Sequence, residues 1–293
     1  MANEFLWYPR RNGTGRRGLE LNASGQVTWV YIPYPQKRST SLFLNRRAEK
    51  SDFSMTRNIL KITPSSRSVG GRYPVVVEPT GTGTTDVTVG STTIRFHVTA
   101  KSTLRLAFYN VNNDAPGVTD DYKTVFTVSK AEKMLTVLRA IYSWQGNLDF
   151  TMTGPPLRST SAMSEIATTF TGGGQMASQF KTLADGDAHV TTFFINKYGG
   201  SGWAAQNGKA IVMDNTIDQR IYELVYAHEI GHFLGLPHPT GTVQNNNLMN
   251  QTGVANTYGG RQRYKSYLNR AQIEKVTNAC NWDNPYTSAV CTV

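Results

Sequence analysis

Three of the five histidines in this 293-residue chain fall in one stretch, His228-Glu229-Ile230-Gly231-His232-Phe233-Leu234-Gly235-Leu236-Pro237-His238. The stretch fits H-E-x-x-H-x-x-G-x-x-H at every fixed position. On a helix, His228 and His232 project from one face about a turn apart. At that spacing two imidazoles can share one zinc ion. Glu229 lies between them, where a carboxylate can act as general base on water. Gly235 is the residue type that most readily takes the positive φ that ends a helix. The reversal it allows returns His238 as a third ligand. Three protein ligands leave a fourth position open, which separates catalytic from closed structural zinc sites.

On these residues the chain resembles the metzincin zinc endopeptidases. That family carries a second element, a tight turn with a methionine beneath the metal. Asn247-Leu248-Met249-Asn250 is similar to it, with Met249 as the turn residue. The resemblance implies an α+β catalytic domain built as a twisted mixed sheet with a zinc-site helix. It implies one catalytic Zn2+ on His228, His232 and His238, with Glu229 as catalytic base and Gly235 and Met249 as structural support. The implied reaction is hydrolysis of peptide bonds in a protein or peptide substrate. The match to named branches is incomplete. Pro239 after the third histidine is similar to serralysins, yet their glycine-rich calcium repeats are absent from the sequence. Astacins and serralysins place a tyrosine two residues after the turn methionine, where this chain has Gln251. Tyr258 is the remaining candidate for a transition-state donor. No cysteine precedes Cys280, so the latency device of matrixins, a propeptide cysteine capping the zinc, has no counterpart.

The elements that must position these residues can be read from periodicity. Residues 104–111 predict a first strand. Ser129 and Glu132 form a capping-box pattern opening a helix with Met134, Leu135, Leu138, Ile141 and Tyr142 on one face, ending near Gly146. Strands are predicted at 148–152, 190–195 and 209–213, and residues 158–174 read mostly as loop. Residues 199–205 predict an edge strand able to pair with bound substrate. In the zinc helix Ile221, Leu224, Val225, His228 and His232 share one stripe. Residues 269–280 read as a last helix. The resemblance spans about residues 100–280 as an order of elements, with its specific content in residues 228–249.

Charge divides the chain into two parts. Of the net +10, residues 1–99 carry 14 Lys+Arg against 6 Asp+Glu, and residues 100–293 carry 16 against 14. The domains read as 1–99, a basic β-rich unit, and 100–293, the peptidase-like unit. Short strands at 27–32, 73–78, 86–89 and 92–98, the third within a Gly/Thr-rich turn stretch from Thr80 to Gly90, favour a small immunoglobulin-like sandwich. The arginine pairs Arg10-Arg11, Arg16-Arg17 and Arg46-Arg47 suit an anionic surface or a secretion or delivery assembly. Nucleic acid fits less well, since the pairs lie among turns without a reading motif.

No apolar run reaches the ~18–20 residues needed to span a membrane as a helix. Met1–Arg10 lacks a charged-then-apolar leader plan. Either a leader has been removed or the protein leaves its cell by a route that reads none, and an intracellular protease is the less attractive alternative. The expectation is a protein secreted or delivered outside its producing cell, as an effector or toxin. Cys280 and Cys291 could close a small terminal loop, worth on the order of 2–3 kcal/mol, or stay as buried thiols. His189 could serve as a second metal ligand, though it reads more readily as a polar strand residue, and His97 reads as structural. Asp120, Asp121 and Asp214 could hold calcium, though without the oxygen-rich spacing of a calcium loop. Two other function classes stand beside the peptidase. One is a cell-wall peptide amidase with the same zinc chemistry, and the other is a non-catalytic binding protein.

Overall fold

The computed structural model describes residues 5–9, 19–35, 40–111, 126–160, 180–195, 204–207, 209–214, 221–239, 247–250, 255–258, 261–264 and 267–277. The fold is α+β, mostly sheet with three α-helices among the described residues. Two compact units form. The first is Met1–Lys101 with Trp144–Asn147 and Asn269–Ile273, and the second is the remainder.

Among the described residues nine strands build the first unit: β1 (Trp7–Tyr8), β2 (Leu19–Leu21), β3 (Val27–Tyr34), β4 (Thr40–Leu44), β5 (Phe53–Met55), β6 (Leu60–Pro64), β7 (Tyr73–Pro79), β8 (Gly83–Val89) and β9 (Thr92–Ala100). They form two sheets, β1-β4-β7-β6 and β2-β3-β9-β8-β5. Alternation along each strand turns one set of side chains inward. Val30 and Ile32 of β3, Phe96 and Val98 of β9, Leu42 and Leu44 of β4, and Val75 and Val77 of β7 share one buried cluster with Trp7. The two sheets therefore pack as a sandwich around a single core. Within the second sheet β3 and β9 run parallel, while β8 and β9 are antiparallel. The Thr80–Gly90 stretch is more ordered than its composition predicts. Thr84 and Thr85 pair with His97 and Phe96, and the buried Thr85 hydroxyl donates to the Arg57 carbonyl. A threonine with its hydroxyl satisfied extends the strand back to Gly83.

The second unit holds a six-stranded mixed sheet of β10 (Ser102–Val111), β11 (Leu148–Met152), β12 (Arg158–Thr160), β13 (Val190–Ile195), β14 (Ala204–Asn207) and β15 (Ala210–Asp214). The order is β11-β10-β13-β15-β14, with β12 joining β10 beyond the end of β11. All neighbours are parallel except β14, which runs antiparallel to β15 at the edge. Every residue of β13 and β15 is buried, as expected of central parallel strands covered on both faces. The edge strand thus exists, but at Ala204–Asn207; residues 199–203 lie outside the described residues.

Three helices follow in chain order, α1 (Val128–Gln145), α2 (Tyr222–Phe233) and α3 (Arg270–Thr277). On α1 the buried stripe is Met134, Leu135, Leu138, Ile141 and Tyr142, joined by Ala131. Its start differs from the Ser129–Glu132 capping pattern. The helix begins earlier, and the Thr127 hydroxyl accepts the Lys130 N–H at 3.3 Å, the N-cap bond to N3. On α2 the core face also differs from the predicted stripe. Tyr222, Tyr226, Ala227, Ile230 and Phe233 are buried, whereas Ile221, Leu224 and Val225 are half-buried. The predicted stripe follows the aliphatic residues and passes over Tyr226, which buries its ring against Phe108 at 5.7 Å between centroids. Its hydroxyl is satisfied by Thr192 at 2.8 Å. A short hairpin, β16 (Ala255–Tyr258) with β17 (Arg261–Tyr264), lies between α2 and α3.

Candidate metal centre

Helix α2 delivers the first two histidines and then stops where the third is needed. Gly235 takes φ +78°. The Leu236 N–H donates to the Gly231 carbonyl and the Gly235 N–H to the His232 carbonyl, each at 2.9 Å. This is the paired closure of a Schellman cap. A side chain at position 235 would strain that backbone. The reversal brings His238 back against the last turn of the helix.

The three rings converge through one type of nitrogen. His238 Nε2 lies 3.2 Å from His228 Nε2 and 3.1 Å from His232 Nε2. The opposite nitrogens face carbonyls. His228 Nδ1 lies 2.7 Å from Leu248 O, and His232 Nδ1 lies 2.9 Å from Leu236 O. A carbonyl only accepts, so both Nδ1 atoms carry the proton and both neutral rings leave a lone pair at Nε2. His238 Nε2 faces both lone pairs, an arrangement that a shared cation would satisfy. A tetrahedral ion with nitrogen ligands at 2.0–2.1 Å would space the nitrogens about 3.3–3.4 Å apart. The two separations from His238 Nε2, 3.2 and 3.1 Å, lie slightly below that edge length. Burial holds His232 below the ordinary imidazole value, against the Leu236 carbonyl, which pushes it up, and with His238, which pushes it down. Among the described residues this is the one His/Cys/Asp/Glu group able to hold a metal ion.

The turn after the helix supplies the second support. Leu248 N–H donates to the Tyr267 carbonyl at 2.8 Å. The Asn247 side-chain oxygen accepts the Met249 N–H at 2.8 Å, and Asn250 N–H reaches back to Asn247 O at 3.2 Å. This small network fixes the Leu248 carbonyl that orients His228. Met249 is fully buried and lies against Gly231. A Cβ added at Gly231 would overlap Met249 Sδ and come within 3.1 Å of its Cε and 3.2 Å of the Tyr142 hydroxyl. Tyr142, from α1, donates to the Ala227 carbonyl at 2.7 Å, just before His228. Sequence alone marks neither Gly231 nor Tyr142 as part of the site. Gly231 occupies a free position of the motif, and Tyr142 reads only as one more residue of an apolar face.

This packing makes a sharp prediction. Gly→Ala at an exposed helix position gains about 1 kcal/mol. Gly231→Ala is expected instead to lose about 1–3 kcal/mol from overpacking, read by urea unfolding of the metal-free protein. Adding Met249→Ala should recover part of that loss. A Gly231→Ala protein as stable as the wild type would show that the contact does not constrain the helix.

Glu229 lies on α2 beside the first histidine and is mostly buried, and that burial pushes its carboxyl up to about 8. Its negative charge adds to burial in raising the Tyr142 hydroxyl, which places the two groups in one electrostatic neighbourhood. The other candidates separate from this centre. Tyr258 falls in β16, whose side chains lie outside the described residues. His189 is a buried strand-entry residue whose Nδ1 accepts the Arg105 N–H at 3.0 Å. Burial with Arg105 and Lys209 nearby lowers it to about 4. His97 stacks among Trp29 and Tyr31 on the first unit. Asp214 is buried at the end of β15. Asp120, Asp121, Cys280 and Cys291 lie outside the described residues, as do Arg10, Arg11, Arg16 and Arg17.

No family model matches the chain, and no curated protein matches it. Among solved structures, a chain titled "Structure of a chaperone-substrate complex" aligns with a TM-score of 0.35 and 14% identity, over 69% of this chain and 41% of that one. The chain therefore spans well under half the length of that neighbour.

Proposed function

We propose that the chain is a zinc-dependent endopeptidase of metzincin type, with Glu229 as its general base. The observation that carries this reading is the grouping of three histidines able to hold one metal ion, with His238 Nε2 within 3.2 Å of both helix Nε2 atoms and a carboxylate one residue from the first. Zinc, when bound, would supply Lewis acidity toward a carbonyl oxygen and toward water. The chain's own residues do the rest. Leu248 O and Leu236 O hold His228 and His232 in the tautomer that presents Nε2. The Glu229 carboxylate takes a proton from the attacking water and passes it to the leaving amine nitrogen. Edge strand β14, with one side unpaired among the described strands, suits an extended peptide added antiparallel to the sheet. In this reading the second unit is the metzincin-like domain and the sandwich is an immunoglobulin-like targeting unit. Its net positive charge attaches an exported effector or toxin to an anionic surface or a delivery assembly.

The test is mass spectrometry of an unfolded protein incubated with zinc-loaded chain. New internal cleavage sites should appear, and they should vanish with chelator and return on adding zinc. Intact substrate under loaded conditions, with purified cell wall trimmed instead, would replace the endopeptidase with a cell-wall amidase.

A further inference from the structure

The first unit contains a groove that the metal centre does not use. Consecutive strands β5 and β6 stand at the same open side of the sandwich, each the last strand of its own sheet. Between them lies a cavity of about 450 Å³ lined by Lys50, Phe53, Met55, Asn58, Leu60, Lys61, Ile62 and Thr80. Its floor is apolar: Leu60 and Ile62 are buried, and Phe53 and Met55 are half-buried. Its rim is basic, with Lys50 and Lys61 both exposed and no carboxylate in the lining. Lys61 meets Glu78 at 3.2 Å, both largely exposed, a pair of small net worth that a competing anion can displace.

The backbone beside this groove is set to accept a strand. Thr80 N–H donates to Ile59 O at 2.9 Å, and Ser65 N–H to Pro74 O at 2.8 Å. Between these bonds Lys61 opposes Glu78 and Thr63 opposes Val76. Antiparallel pairing alternates, so residues 59, 61, 63 and 65 turn their amide groups toward β7, and Leu60 and Ile62 turn theirs to the open edge. No described strand pairs with that side of β6. A fatty acid could use the floor and the lysines, but it would leave those amide groups to water. An extended peptide satisfies all three features.

We propose that this groove binds an extended segment of a partner protein in which apolar residues alternate with acidic ones. The segment adds as a strand to β6, sets its apolar side chains over Phe53, Met55 and Ile62, and meets Lys50 and Lys61 with its carboxylates. The reading gives the targeting role proposed above a location. Its test reads binding rather than hydrolysis, so the groove and the peptidase can fail separately.

The probe is a synthetic peptide of alternating glutamate and valine, titrated onto the full chain carrying Glu229→Gln so that the probe is not cut. Controls are the alternating lysine–valine peptide and decanoate. The glutamate peptide should bind at least about tenfold tighter than the lysine peptide and weaken as salt rises. It should slow amide exchange at Leu60 and Ile62. The double variant Lys50→Glu/Lys61→Glu, altered only at exposed positions, should reverse the preference between the two peptides. Equal binding of both peptides overturns the proposal. So does binding without protection at Leu60 and Ile62, or binding indifferent to the lysine variant, which would place an anion site elsewhere on the unit. Saturable decanoate binding that displaces the peptide without protecting those amides would make this a lipid site.

Discussion

His238→Ala is expected to abolish both metal retention and hydrolysis. His238 Nε2 is the atom that both helix histidines approach, at 3.2 and 3.1 Å. Without it the site keeps two imidazoles one helical turn apart, a set that holds zinc poorly. Removing even an outer partner of a ligand costs roughly 10–100-fold in affinity, so loss of a ligand should cost more. Stability gives a readout independent of activity. A ligand present at 100 times its dissociation constant stabilises the native state by about 2.7 kcal/mol. Wild type should therefore melt higher with zinc than with chelator, and His238→Ala should melt at nearly the same temperature in both. Elemental analysis should fall from one zinc per chain to near background. A His238→Ala protein with full zinc content and full turnover would sink the three-histidine site.

Much of this centre is legible in the sequence because its geometry is local. The interval between His228 and His232 is one helical turn, and Gly235 is close enough to His238 for the cap to dictate the reversal. What cannot be read are the supports that arrive from far along the chain. The Tyr142 hydroxyl meets Ala227 O across 85 residues, and the Leu248 carbonyl meets His228 across 20. No local pattern marks which member of an apolar stripe will use its hydroxyl, or which carbonyl will orient a ring. The core face of α2 departs from the predicted stripe for a related reason. The predicted stripe follows the aliphatic residues Ile221, Leu224 and Val225, whereas the larger rings of Tyr222 and Tyr226 take the core face, the Tyr226 hydroxyl meeting Thr192. In the sandwich the alternation of β9 is plain from sequence. The groove between β5 and β6 is not, because it arises from two short strands ending different sheets.

Glu229→Gln is expected to keep fold and zinc while losing at least about 10²-fold in turnover, the ordinary share of a positioned general base. The amide matches the carboxylate in shape but cannot take and return a proton. A second measurement isolates the same group without substrate. In the metal-free protein burial pushes Glu229 up to about 8, against about 4.3 for an unfolded chain. Between those values the native state holds a proton that the unfolded state has released. Stability should therefore fall as pH rises from about 4.3 to 8, by at most about 1.4 kcal/mol per pH unit. Glu229→Gln should remove that contribution and leave the metal-free variant more stable than wild type at the alkaline end. A cation on the three histidines favours the carboxylate, so zinc should flatten the slope in wild type and leave the variant's profile unchanged in shape. Loss of zinc in Glu229→Gln would make Glu229 a ligand, and undiminished turnover would give the proton transfer to another group.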